Sequence, residues 1–157
     1  MDINNRIGLD SAKSKELAGH LNELLANYSV FYQNSRGYHW NIRGEKFFIL
    51  HEKFEELYTD LFQKIDEIAE RILTLGYAPE HRFSSYRKVS KVEESTEVTD
   101  ARKCVEGILS SFEILIAKQR EILDLSGEIG DEGTNAMMSD YIREQEKLVW
   151  MYSAFLG

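Results

Sequence analysis

Residues 47–75, FFILHEKFEELYTDLFQKIDEIAERILTL, decide the fold. Phe47, Leu50, Phe54, Leu57, Leu61, Ile65, Ile68, Ile72 and Leu75 recur every three or four positions, one stripe of an α-helix, and Tyr58, Phe62 and Ala69 widen it. Gly76 and the chain's single proline, Pro79, are its stop signals. Working outward, Leu17, Leu21, Leu24, Leu25, Tyr28, Phe31, Tyr32 and Ser35 predict a helix over residues 10–38, followed by a turn at Asn41, Arg43 and Gly44. A third stripe follows Thr99 (Val105, Ile108, Leu109, Phe112, Leu115, Ile116, Ile122, Leu123) and stops at Gly127. A fourth starts within residues 131–134 and carries Met138, Tyr141, Ile142, Leu148, Val149, Tyr152 and Phe155. Short turns make each outer pair an antiparallel hairpin, whereas residues 76–98 are long enough to run the length of a bundle. The expectation is an all-α four-helix bundle with a long crossover between helices 2 and 3, a short helix at 82–90 within it, and residues 1–157 as one domain.

Composition narrows the function. The chain has 157 residues, enough to bury a core without staples, and a formal charge of −8. That balance disfavours a surface built to neutralise phosphates. Its basic groups are dispersed: Arg6, Lys13 and Lys15 alternate with Asp2, Asp10 and Glu16, and Arg82, Arg87, Lys88 and Lys91 run straight into Glu93 and Glu94. The lone Cys104 has no internal partner and reads as a small core residue in a reducing compartment. No apolar leader segment and no run of about 18 apolar residues stands out, so a soluble, cytoplasmic protein without membrane association is expected.

The chemistry lies in His39, His51, Asp66 and Glu70. On the second helix Glu67 has Arg71 four residues on, an ordinary i,i+4 pair, but Asp66 and Glu70 form a like-charge i,i+4 pair with no basic group three or four residues to either side. A cation between them removes the repulsion; a solvated acidic edge is the plainer alternative. His51 lies on the same face, yet at 1.5 Å per residue it is roughly 22 Å from Asp66. One copy cannot close both ends on one ion. Two such helices packed antiparallel about a two-fold axis near Tyr58 would bury the aromatics and set His51 against the partner's Asp66 and Glu70. His39, across the turn, can join the same side. Imidazole with carboxylate suits Fe(II), Zn(II) or Mn(II) better than Ca(II) or Mg(II). Trp40 is either a nearby electron donor or a core plug, Trp150 reads as structural, and His20 and His81 as satisfied structural histidines. None of the four histidines has a Glu three residues before it, so no intrasubunit Glu-x-x-His site forms and the bundle centre is expected to be apolar and dry. Zinc-protease, P-loop and dinucleotide motifs are missing too.

Tyr38-His39-Trp40-Asn41, Leu50-His51-Glu52 with Phe54-Glu55-Glu56 and Tyr58, and Asp66-Glu67-Ile68-Ala69-Glu70-Arg71-Ile72 resemble the Dps family, the ferritin-like miniferritins. Gly130-Asp131-Glu132-Gly133-Thr134 and Trp150 extend the likeness to the end of the chain. The resemblance implies a hollow dodecamer of four-helix bundles with a ferroxidase centre at each two-fold interface. His39 and His51 of one subunit and Asp66 and Glu70 of its neighbour would hold iron beside Trp40. It further implies oxidation of Fe(II), preferentially by hydrogen peroxide, storage of ferric mineral, and protection from oxidative stress. Glu52, Glu55 and Glu56 fall where mineral-nucleating carboxylates lie, and Glu128, Asp131 and Asp140 near acidic pores. No lysine-rich tail like that of the DNA-binding members is present, and twelve copies at −8 each carry −96. Ferroxidase and storage activity without tight DNA binding is the expectation. The competing readings are a DNA-compacting structural protein and a zinc-stabilised oligomer, since zinc accepts the same ligands and is redox inert.

Overall fold

The computed structural model describes residues 4–157; the first three, including Asp2 of the mixed-charge N-terminal stretch, lie outside the described residues. Five helices follow in order: α1 Ser11–Asn41, α2 Phe47–Thr74, α3 Phe83–Val89, α4 Ala101–Ile129 and α5 Glu132–Leu156. The four long ones form the bundle and α3 is the short helix expected in the crossover. The ends are set by side chains as much as by periodicity. Asp10 accepts a hydrogen bond from the Lys13 amide and Asp100 from the Lys103 amide, capping α1 and α4. Gly130, at φ 77°, ends α4 in the left-handed region that favours glycine. At its C-terminal end α1 runs past the expected stop and takes His39 and Trp40 into its last turn.

The stripes face one another. Leu17, Leu21, Leu24, Phe31, Phe54, Leu61, Ile68, Ile72, Ile108, Phe112, Leu115, Ile122 and Met138 are fully buried. Cys104 is among them, and burial pushes its thiol up to about 12, as expected of a core residue. Among the described residues no helix is long and apolar enough to cross a membrane.

Two polar features depart from expectation. The bundle centre is not wholly apolar: the Tyr28 hydroxyl donates to Gln119 Oε1 at 2.5 Å, Gln119 Nε2 donates to Gln145 Oε1 at 2.7 Å, and Gln145 Nε2 returns to Tyr28 Oη at 2.7 Å. This closed ring satisfies groups that would otherwise be costly to bury. Glu67 does not pair with Arg71. It accepts from Tyr141 Oη at 2.6 Å, while Arg71 reaches across to Asp131 at 2.6 Å and to Thr134 Oγ1 at 2.9 Å. Asp131, with 1 % of its side chain exposed, offers a far less screened partner than an exposed acid on the same helix. Lys64, also buried, holds Asp60 at 2.8 Å and Glu144 at 3.1 Å.

The crossover is fastened by asparagines of α1. Asn22 bonds the Ala78 carbonyl and the Glu80 amide, Asn27 the Lys91 amide, and Asn34 the Glu93 carbonyl and the Ser95 amide. A segment with little core of its own is thereby held against the bundle.

Candidate metal centre

The α1–α2 hairpin brings His39 and His51 ring upon ring, centroids 3.8 Å apart and planes within 12°. Their bonding is reciprocal: His39 Nδ1 lies 2.6 Å from the His51 carbonyl, and His51 Nδ1 lies 2.7 Å from the His39 carbonyl. A carbonyl oxygen can only accept, so both Nδ1 atoms carry the proton. Each Nε2 is left with a lone pair, the arrangement a metal-binding imidazole needs. Tyr58 stands edge-on to His39 at 5.3 Å and Phe47 packs on His51 at 4.9 Å, so the stack is held on two sides.

Asp66 and Glu70 lie further along α2, both exposed. Asp66 pushes the Glu70 carboxyl above the usual carboxylate range, first through the hydrogen bond the two share and then by charge repulsion. Fifteen residues of helix separate His51 from Asp66, roughly 22 Å of rise. Among the described residues, no three His, Cys, Asp or Glu side chains converge on one point within the chain. The imidazole pair sits at the α1–α2 hairpin and the carboxylate pair far along α2.

The other sequence-derived residues separate clearly. Glu52, Glu55 and Glu56 line an open acidic depression on α2 of about 520 Å³, with Glu56 paired to Lys53 at 3.0 Å. Glu128 and Asp140 are exposed, the latter 3.1 Å from Arg143. Asp131 differs from the pore expectation: its carboxylate is buried, caps α5 through the Thr134 amide at 3.0 Å and binds Arg71. Its charge is consumed inside the subunit. Neither tryptophan is core, since Trp40 is 57 % and Trp150 66 % exposed. His20 accepts from Lys118 at 2.9 Å, a satisfied structural histidine, whereas His81 is exposed at the rim of a groove between α1 and the crossover.

Reading the sequence missed Arg36. Its guanidinium carbon lies 4.8 Å from the centre of the Trp40 ring and 5.4 Å from that of Tyr32. The signal was available, because Tyr32, Arg36 and Trp40 are spaced i, i+4, i+8 on α1. The same groove, about 790 Å³, is lined by Tyr32, Trp40, Phe62 and Phe83.

Comparison with known proteins identifies the family. A model of the ferritin-like domain matches residues 18–157. The chain is 47 % identical over 148 residues to a DNA protection during starvation protein of Porphyromonas gingivalis, covering 94 % of this chain and 93 % of that one. It is 36 % identical over 144 residues to DNA protection during starvation protein 2 of Bacillus anthracis, covering 92 % and 99 %. The crystal structure of a Dps protein from Vibrio cholerae O1, described as a member of a broad superfamily of ferritin-like diiron-carboxylate proteins, superposes with a TM-score of 0.97. It is 60 % identical and covers 98 % of this chain and 97 % of that one. On both sequence and fold, this chain belongs to the Dps family of ferritin-like proteins.

Proposed function

We propose that this protein is a ferroxidase and iron store whose oxidation centre is shared between two copies. Antiparallel pairing of α2 with the α2 of a second copy, about a two-fold axis near Tyr58, carries His39 and His51 of one copy to Asp66 and Glu70 of the other. The observation that carries this reading is the reciprocal pair of Nδ1 bonds, which leaves two Nε2 donors side by side. The exposed carboxylate pair on the same helix supplies the complementary half. Phe62, Trp40 and Phe83, all exposed around one groove, provide apolar area for a second copy to cover.

Ferrous iron is the substrate. Imidazole and carboxylate donors together suit Fe(II), and a cation between Asp66 and Glu70 relieves their repulsion. Hydrogen peroxide, the preferred oxidant in this reading, takes one electron from each of two ferrous ions. Its O–O bond breaks to give two hydroxides and leaves two ferric ions. Consuming iron and peroxide together protects the cytoplasm from hydroxyl radicals. Phe48, Ile49, Trp150 and Met151 form further exposed apolar surface, which supports contacts beyond the pair and closure into a hollow dodecamer. Glu52, Glu55 and Glu56 then face the mineral, and Glu128 and Asp140 the entry pores. Zn(II) competes for the same donors. With −8 per chain, tight DNA binding is not part of this function, and a band of duplex DNA retarded at near-physiological salt would refute that.

The direct test is anaerobic addition of Fe(II) followed by stoichiometric hydrogen peroxide, with ferric iron followed optically. The native protein is expected to oxidise iron quickly and the His39→Ala, His51→Ala double variant slowly at unchanged assembly mass. Equal rates in the two proteins would reject the shared centre.

A further inference from the structure

Trp40 directly follows His39, so an exposed indole stands one residue from the candidate centre. Exposure alone does not set how readily an indole gives up an electron. The Arg36 guanidinium lies 4.8 Å from the Trp40 ring centre, and it also lies 5.4 Å from the Tyr32 ring centre and donates a hydrogen bond to Gln33 Oε1 at 3.3 Å. A neutral indole presents a negative ring face that attracts this cation. Removing one electron from the ring replaces that attraction with repulsion between two positive charges at the same distance. Both terms oppose oxidation. Trp150, comparably exposed, has no such cation over its ring among the described residues.

We propose that Arg36 is a specificity-determining residue that shields Trp40 from one-electron oxidation, so that an oxidant at the centre draws its electrons from ferrous iron and not from the indole beside it. The bearing on iron rests on the shared-centre reading above; the shielding itself does not.

The shielding is tested on the iron-free, full-length protein with hexachloroiridate(IV). One electron passes from the indole to iridium, giving iridium(III) and an indole radical cation that sheds its N–H proton. A second equivalent of oxidant and one water complete a product with one added oxygen and release a second proton. At 1 M salt the screening length is about 3 Å, which removes steering of this anionic probe by Arg36. Peptide mass spectrometry reads oxygen addition at each tryptophan, with Trp150 as the internal reference. Arg36→Gln should accelerate Trp40 about fivefold without changing Trp150, and Arg36→Lys, which keeps the charge, should restore most of the protection. An unchanged Trp40 rate in Arg36→Gln would overturn the proposal, and so would equal acceleration of both tryptophans or an Arg36→Lys variant as reactive as Arg36→Gln. Because no iron is present, failure here leaves the ferroxidase reading to its own test.

Discussion

At the scale of single residues, polar atoms in this bundle are placed by what can satisfy them. His39 and His51 spend their Nδ1 protons on each other's carbonyls, which orients both rings before any ligand arrives. The ring of Tyr28, Gln119 and Gln145 follows the same logic in the core, with each member buried and bonded to the other two. Breaking such a ring at one point orphans its neighbours, whereas removing all the polar atoms leaves nothing to desolvate. Gln145→Leu should therefore cost about 2 kcal/mol. Tyr28→Phe, Gln119→Leu and Gln145→Leu together should cost much less than the sum of the three single changes. Denaturant unfolding at fixed protein concentration checks this, and strictly additive losses would show that the ring is not a unit.

At the scale of helices, α2 and α5 are locked by Arg71, whose guanidinium packs so closely over Gly133 that a Cβ there would lie 2.7 Å from it. Asp131 serves both this ion pair and the α5 cap. Asp131→Ala loses both and should destabilise by about 4 kcal/mol. Asp131→Asn, which retains a capping oxygen, should lose about 1 kcal/mol less. Calorimetric melting of the two variants distinguishes them; equal losses would mean that the cap contributes nothing. How the sequence relates to this lock shows what was legible and what was not. Four apolar stripes at helical spacing specify four helices and a crossover, and the structure has them, although α4 runs through the expected stop at Gly127 to Ile129 and ends at Gly130, whose left-handed conformation the stripe could not reveal. Nothing local tells Arg71 to leave Glu67 for an acid sixty residues away, because that choice depends on the burial of Asp131. The asparagines of α1 were equally unreadable, since their partners are backbone atoms of a segment without periodicity. Within the candidate site, the turn after α1 pointed to His39 and His51 on one side of the hairpin but not to their stacking, and the lack of a basic group three or four residues away marked Asp66 and Glu70. Arg36 went unread because an arginine on a helix surface is ordinary until its two aromatic neighbours are noticed.

At the scale of the whole molecule, the proposed reading gives each chain two halves of a centre, and among the described residues no three such ligands converge within the chain. If the halves are joined between copies, two inactive variants must rescue one another. His39→Ala, His51→Ala protein dissociated and reassembled with an equal amount of Asp66→Ala, Glu70→Ala protein should regain about a quarter of native iron oxidation. Half the random pairs are mixed, and each mixed pair has one intact centre of two. No recovery in mixed assemblies of native mass would exclude a centre built across the pair. The Arg71 lock also bears on the order of synthesis. Both histidines belong to the first hairpin to leave the ribosome, but the stretch of α2 carrying Glu70 is fastened by Arg71 to a residue translated sixty positions later. A growing chain can stack its imidazoles while its acids still lack their anchor, and if the centre is shared as proposed, two finished chains must meet before iron finds a full set of donors. On the shared-centre proposal, oxidation chemistry is kept away from the site of translation by the arrangement of the chain itself.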